Sequence, residues 1–126
     1  MQEKTRVIIS GGRDFDNYIL LEKRCDYILK DEKKVIIISG MAKGADTLAV
    51  KYARKRGYEL EAYHAKWNIY GNNAGFIRNE EMARVGDLLI SFWDGKSRGT
   101  RDMITRAKEH RIPTHVIYYN QEGLNE

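Results

Sequence analysis

Three stretches of the chain hold apolar residues without alternation: Arg6 to Ser10 (R-V-I-I-S), Val35 to Ser39 (V-I-I-I-S) and Asp87 to Trp93 (D-L-L-I-S-F-W). A continuous run of this length predicts a strand buried on both faces, as in a parallel sheet covered by helices. Tyr58 to His64 behaves differently, setting Leu60 and Ala62 against Glu59, Glu61 and Tyr63, and predicts an edge strand with less complete burial. Thr114 to Tyr119, just after the single proline Pro113, supplies a fifth strand.

Between the strands the apolar period changes to three and four. Tyr18, Leu21, Cys25, Ile28 and Leu29 predict an amphipathic helix over about 17–31, and Leu48, Ala49, Tyr52 and Ala53 one over about 45–56. A third helix is expected over 76–86, and a fourth carries Met103, Ile104 and Ala107 and is stopped by Pro113. Gly57 is placed to cap the second helix, and Lys51, Arg54, Lys55 and Arg56 suit the negative end of its dipole, so that basic cluster reads as structural. Residues 65–75 are aromatic, amide-rich and glycine-containing. They read either as a loop lying over a bound base or sugar, or as a surface loop with Trp67 anchored on the core.

The resulting order, β-α-β-α-β-α-β-α-β, calls for an open parallel sheet with right-handed crossovers. The expected fold is therefore α/β, a Rossmann-like doubly wound sheet of about five strands in the order 3-2-1-4-5 with helices on both faces. In that order the loops after strands one and four flank the switch point, and the loop after strand two adjoins them. All three loops are rich in glycine: Gly11-Gly12-Arg13-Asp14, Ser39-Gly40-Met41-Ala42-Lys43-Gly44-Ala45-Asp46, and Asp94 to Asp102. Small residues let a ligand approach the backbone, and the helix N–H groups beyond them favour an anion. None of the loops has the G-x-G-x-x-G or P-loop spacing, and glycines at a strand-to-helix turn also serve simply to turn the chain. Convergence of three such loops is what points to a ligand.

Composition narrows the picture. A length of 126 residues suits one domain over 1–120 with a polar tail at 121–126. The net charge of +4 suits an anionic partner without the concentrated Lys and Arg of a dedicated DNA-binding arm. Cys25 is alone, so an internal disulfide is excluded and a reducing cytoplasm is the expected compartment. His64, His110 and His115 show no ligand spacing, so no metal and no cofactor are expected. No apolar run approaches the roughly 20 residues of a membrane span, and the N-terminus lacks a signal-peptide core.

Four motifs in sequence, Gly11-Gly12-Arg13-Asp14-Phe15, Ser39 to Asp46, Arg78-Asn79 with Met82, and Gly99-Thr100, carry a resemblance to a known group. The chain resembles the SLOG superfamily, the Rossmann-like group that includes the Lonely guy cytokinin-activating enzymes and the DNA-processing protein DprA. Within it the likeness is greatest to the small YspA-like members. Ser39 to Asp46 looks like the S-G-x-A-x-G-x-D run of DprA, and Gly99-Thr100 like the end of the P-G-G-x-G-T loop of Lonely guy enzymes. The resemblance implies a nucleotide-related ligand such as ADP-ribose or an NAD-like signal. It also implies departures: Asn79 stands where the Lonely guy R-K-x-x-M motif has lysine, and Met103 where those enzymes carry their catalytic glutamate. Relatives that dimerise do so through helix faces, so a homodimer is left open.

The candidate ligand site takes Gly11, Gly12, Gly40, Gly44, Gly99 and Thr100 as the phosphate cradle, with Arg13, Arg78, Lys43, Arg98 and Arg101 as charge partners. Ser39 and Asn79 belong to the same motifs, Asp14 and Asp46 are placed to orient ribose hydroxyls, and Trp67 or Trp93 to stack on a base. The leading expectation is a binding module for a phosphorylated nucleotide derivative, a sensor, carrier or sequestering protein. A second is a nucleotide N-glycosidic hydrolase using Asp14, Asp46 or Asp102 as the working carboxylate. A third, less favoured, is DprA-like binding of single-stranded DNA through Lys43, Arg54, Lys55 and Arg98.

Overall fold

The computed structural model describes residues 4–120; the polar tail read at 121–126 lies outside them. The three apolar runs form β1 (Thr5–Gly11), β2 (Val35–Ser39) and β4 (Leu88–Trp93), and the shorter strands are β3 (Glu59–Ala62) and β5 (Thr114–Tyr118). All pairings are parallel and the order is β3-β2-β1-β4-β5. The unbroken runs therefore lie in the middle, and the alternating Glu59–Ala62 lies at an edge, as a sheet covered on both faces requires.

Each central strand sends alternate side chains to opposite layers. Val7, Ile9, Ile37, Ile90 and Phe92 pack with Leu21 and Cys25 of α1 (Tyr18–Ile28) and with Ala49, Tyr52 and Ala53 of α2 (Ala45–Arg56). Ile8, Ile38 and Leu89 pack on the other side with Met82 and Ala83 of α4 (Ala74–Val85) and with Met103, Ile104 and Ala107 of α5 (Arg98–Glu109). Asn17 caps α1, its side chain accepting from the Leu20 N–H at 3.0 Å. The basic end of α2 is engaged in ion pairs: Arg56 reaches Asp26 at 2.6 Å and Lys55 reaches Glu22 at 2.7 Å, both on α1.

The structure departs from the expected elements in one region. Residues 67–70 form a helical turn, α3 (Trp67–Tyr70), followed by a 3₁₀ turn (Gly71–Asn73) that runs straight into α4. Lys66 O accepts the N–H groups of both Ile69 and Tyr70. All four side chains of α3 are exposed, so the turn buries no stripe and leaves no periodic signal in the sequence. At the far end, α5 stops at Glu109, four residues before Pro113, and Arg111 turns the chain with φ 59°. Among the described residues no helix is long and apolar enough to cross a membrane.

Candidate functional site

The carboxyl ends of β1, β2 and β4 meet where the strand order reverses, and a cleft of about 440 Å³ opens there. This is the position at which doubly wound sheets bind ligands. Of the residues expected to form the site, Gly11, Gly12, Arg13, Asp14, Asp46, Arg78, Asn79, Gly99 and Thr100 line it.

The β1 loop forms one wall. The Gly12 N–H donates to Phe92 O at 3.1 Å, and its carbonyl accepts from the N–H groups of Phe15 and Ala45, each at 3.2 Å. These bonds tie the first loop to β4 and to the start of α2. A Cβ on Gly12 would lie 1.7 Å from Tyr119 Oη, which itself donates to Asp14 Oδ1 at 2.6 Å. Gly44 has φ 79°, and a Cβ there would lie 2.2 Å from Gly12 O. At Gly44 the backbone of the first loop leaves no room for a side chain, and at Gly12 a side chain would have to displace Tyr119. Gly99 is different: a Cβ would meet nothing within 4 Å. No protein atom requires a glycine there, and its bare backbone faces the cleft.

The centre of the cleft holds a carboxylate and a guanidinium that face one another without forming an ion pair. Asp46 is 5% exposed, and its Oδ2 accepts from the Ala42 N–H at 3.2 Å. Burial pushes its carboxyl up to about 6, against the opposing pull of Arg78, the Ala42 N–H and Arg13. Arg78 donates from Nη1 to Gly40 O at 3.0 Å and from Nη2 to Asn79 Oδ1 at 3.5 Å, while its Nε is buried without a partner. Burial pulls the Arg78 guanidinium below its ordinary value, Asp46 opposes that, and Arg13 adds to it.

The α4–α5 side is rigidly supported. Asn79, buried, donates from Nδ2 to Gly99 O at 3.2 Å and to Asp102 Oδ2 at 3.0 Å, and Asp102 Oδ2 also accepts from Arg106 Nε at 2.8 Å. Asp94 Oδ1 accepts the N–H groups of Lys96 and Ser97, both at 2.8 Å, and so shapes the loop into α5. Those backbone bonds hold the Asp94 carboxyl below its ordinary range.

Several expected residues lie elsewhere. Ser39 is fully buried beneath its loop, where its Oγ donates to Asp46 O at 2.9 Å and accepts from the Met41 N–H. Asp102 is engaged by Asn79 and Arg106 behind the cleft wall. Trp93 turns away, its Nε1 donating to Ser97 O, its ring 5.8 Å from that of Tyr118, and Arg101 lying over it at 5.6 Å. Arg98 is exposed and lines neither the cleft nor the hollow beside it. Gly40, Lys43 and Trp67 line that neighbouring hollow, and Gly44 a shallow groove on the outer side of the β1 loop.

Some cleft residues carried no chemistry-bearing signal. Met82 and Met103 supply apolar walls, and Tyr119 reaches the β1 loop from 105 positions away. Asp94 was findable, because an Asp followed by Gly at a strand end signals a side chain that bonds its own turn. Met103 lining the cleft has a direct consequence. The position that aligns with the glutamate of the resembled Lonely guy motif lines the cleft but presents a thioether, which cannot transfer a proton.

A doubly wound α/β domain with a glycine-lined cleft and a partly satisfied arginine at its switch point falls in the class of Rossmann-like domains. The chain belongs to the YspA, cpYpsA-related SLOG family (YAcAr), which matches residues 5–70. Gene 61 protein of Mycobacterium phage D29 is 33% identical over 115 residues, covering 86% of this chain and 92% of that protein. The X-ray structure of DNA processing protein A (DprA) from Streptococcus pneumoniae shares the fold, with a TM-score of 0.73 at 20% identity over 95% of this chain. This chain spans 52% of that DprA chain. The SLOG placement and the 3-2-1-4-5 sheet expected from the sequence are both found.

Proposed function

We propose that the chain binds a phosphorylated nucleotide derivative in the switch-point cleft and acts as a sensor, carrier or sequestering module. The observation that carries this reading is Arg78. A guanidinium with a buried, unpartnered Nε is costly to maintain, and an anion entering the cleft would offset its charge. Gly11, Gly12 and Gly99 would bring backbone close to that anion, and Asp14 and Asp46, which line the same cleft, would accept from ribose hydroxyls. Met103 at the glutamate position supports binding without turnover.

Isothermal titration against nucleoside mono- to triphosphates, ADP-ribose and NAD tests it. A ligand at a hundredfold excess over its Kd adds about 2.7 kcal/mol of stability, a rise of about 10 °C in Tm for a chain of this size. Arg78→Ala should weaken that binding at least tenfold while the variant remains folded. Unchanged affinity would remove Arg78 from the site, and no binding across the series would remove the reading.

A second reading is favoured by Asp46, whose carboxyl is displaced toward neutrality inside the cleft. A carboxyl so placed suits general acid or base work in N-glycosidic hydrolysis. Release of free base from nucleoside monophosphates, abolished by Asp46→Asn, is its test. DNA binding through Lys43, Arg54, Lys55 and Arg98 draws less support, since Lys55 pairs with Glu22 and lies on the opposite layer from Arg98. A steep loss of affinity with salt would restore it.

A further inference from the structure

Beside the cleft a second hollow of about 410 Å³ opens, and Arg13, Ala42 and Arg78 line both. Their charges differ. The cleft walls include Asp14, Asp46 and Asp94, whereas the hollow has no carboxylate and is lined by Arg13, Lys43, Arg78 and His64.

Two arginines elsewhere in the chain are each held by two carboxylates. Arg56 is paired with Glu22 and Asp26, and Arg106 with Glu80 and Asp102. In the hollow, among the described residues, the side chains of Arg13 and Lys43 make no ion pair and no hydrogen bond, and Arg78 meets only the neutral Gly40 carbonyl and Asn79 amide. Three such cations in a concave wall, opposed only by the buried Asp46 carboxylate behind it, raise the local potential and draw an anion. Burial is the main cause of the lowered pKa of Arg78; Asp46 opposes it, and repulsion by Arg13 adds to it.

Two further features suit a ligand. Met41, on the wall, holds φ 62°, a conformation costly for a non-glycine residue and concentrated at ligand clamps. Trp67 stands at the hollow with half of its surface exposed (51%), leaving an aromatic face free to cover a sugar or base.

We propose that the hollow is a second anion subsite, taking a further phosphoryl group of the nucleotide held in the cleft, with Lys43 and His64 as its own donors and Arg13 and Arg78 shared. This rests on the nucleotide-binding reading and deepens it: the preferred ligand carries more than one phosphoryl group. The second group comes either from a diphosphate or from the next phosphodiester of a dinucleotide.

Titration of the full chain with AMP, ADP and the dinucleotide pApA, together with inorganic pyrophosphate alone, tests it on wild type, Lys43→Ala and Lys43→Arg. Because Lys43 is exposed and unpaired, Lys43→Ala should keep the wild-type Tm. The expected result is a preference for ADP or pApA over AMP that falls about tenfold in Lys43→Ala and is restored by Lys43→Arg. Loss confined to ADP assigns the subsite to a diphosphate, and loss confined to pApA to a phosphodiester. Nucleotide binding with an unchanged preference overturns the subsite and leaves the cleft reading standing. If no nucleotide binds, that reading falls, yet pyrophosphate binding that depends on Lys43 would retain the subsite; pyrophosphate indifferent to Lys43 overturns it as well.

Discussion

Asp46→Asn separates stability from function at the centre of the cleft. An aspartate ionises near 3.8 when unhindered and near 6 at this buried position. Between those values the folded chain holds a proton that the unfolded chain releases, so stability falls as pH rises through the interval. At 1.36 kcal/mol per pH unit, the carboxylate costs the folded state about 3 kcal/mol at pH 7. Asparagine mimics the protonated acid, and its Oδ1 can keep the hydrogen bond from the Ala42 N–H. The variant is therefore expected to gain up to about 3 kcal/mol at pH 7, about 10 °C in Tm. The gain should shrink toward zero by about pH 4. Urea denaturation of both proteins from pH 4 to 8 measures this directly, and subtracting the two curves removes the carboxylates common to both. Equal or lower stability of the variant at pH 7, or a gain that does not change with pH, would refute the argument. The same variant should bind nucleotide less tightly. A more stable protein with undiminished affinity would show that Asp46 plays no part in recognition.

Three other substitutions test the walls of the cleft. Gly12→Ala places a methyl against Tyr119 Oη and should cost about 1–3 kcal/mol; adding Tyr119→Phe should recover part of it, read as a coupling energy in a double-mutant cycle. Gly99→Ala meets open space at the start of α5, so stability should hold or rise by less than about 1 kcal/mol while ligand affinity falls, as titration would reveal. Asn79→Ala removes the two bonds that join α4 to Gly99 and Asp102 and should cost about 1–3 kcal/mol in urea denaturation. Retained stability there would show that the α4–α5 contact does not rely on Asn79.

The architecture was legible in the order of residues because it rests on local and pairwise facts. Unbroken runs such as Val35–Ser39 can be buried only between two helical layers, and alternating Glu59–Ala62 only at an edge. With five such strands separated by helices, handedness and short connections leave few topologies, and these bring the three glycine loops to one end. The cleft residues next to those glycines, Arg13, Asp14, Asp46 and Thr100, came with the loops.

What the sequence could not decide were the facts that depend on direction and company in three dimensions. Asp46 and Asp102 are both carboxylates beside glycine loops, yet one faces the cleft and the other is engaged by Asn79 and Arg106. Trp67 follows β3 and Trp93 ends β4, yet one stands at a cationic hollow and the other points back to Ser97. Tyr119 bonds Asp14 because β5 ends beside β4, and the segregation of carboxylates in the cleft from cations in the hollow arises only where loops from three strands are laid side by side. Strand and helix formation follow from periodicity along the chain. The orientation of each polar side chain follows from which neighbours tertiary packing places within hydrogen-bonding distance, and sequence spacing does not record that.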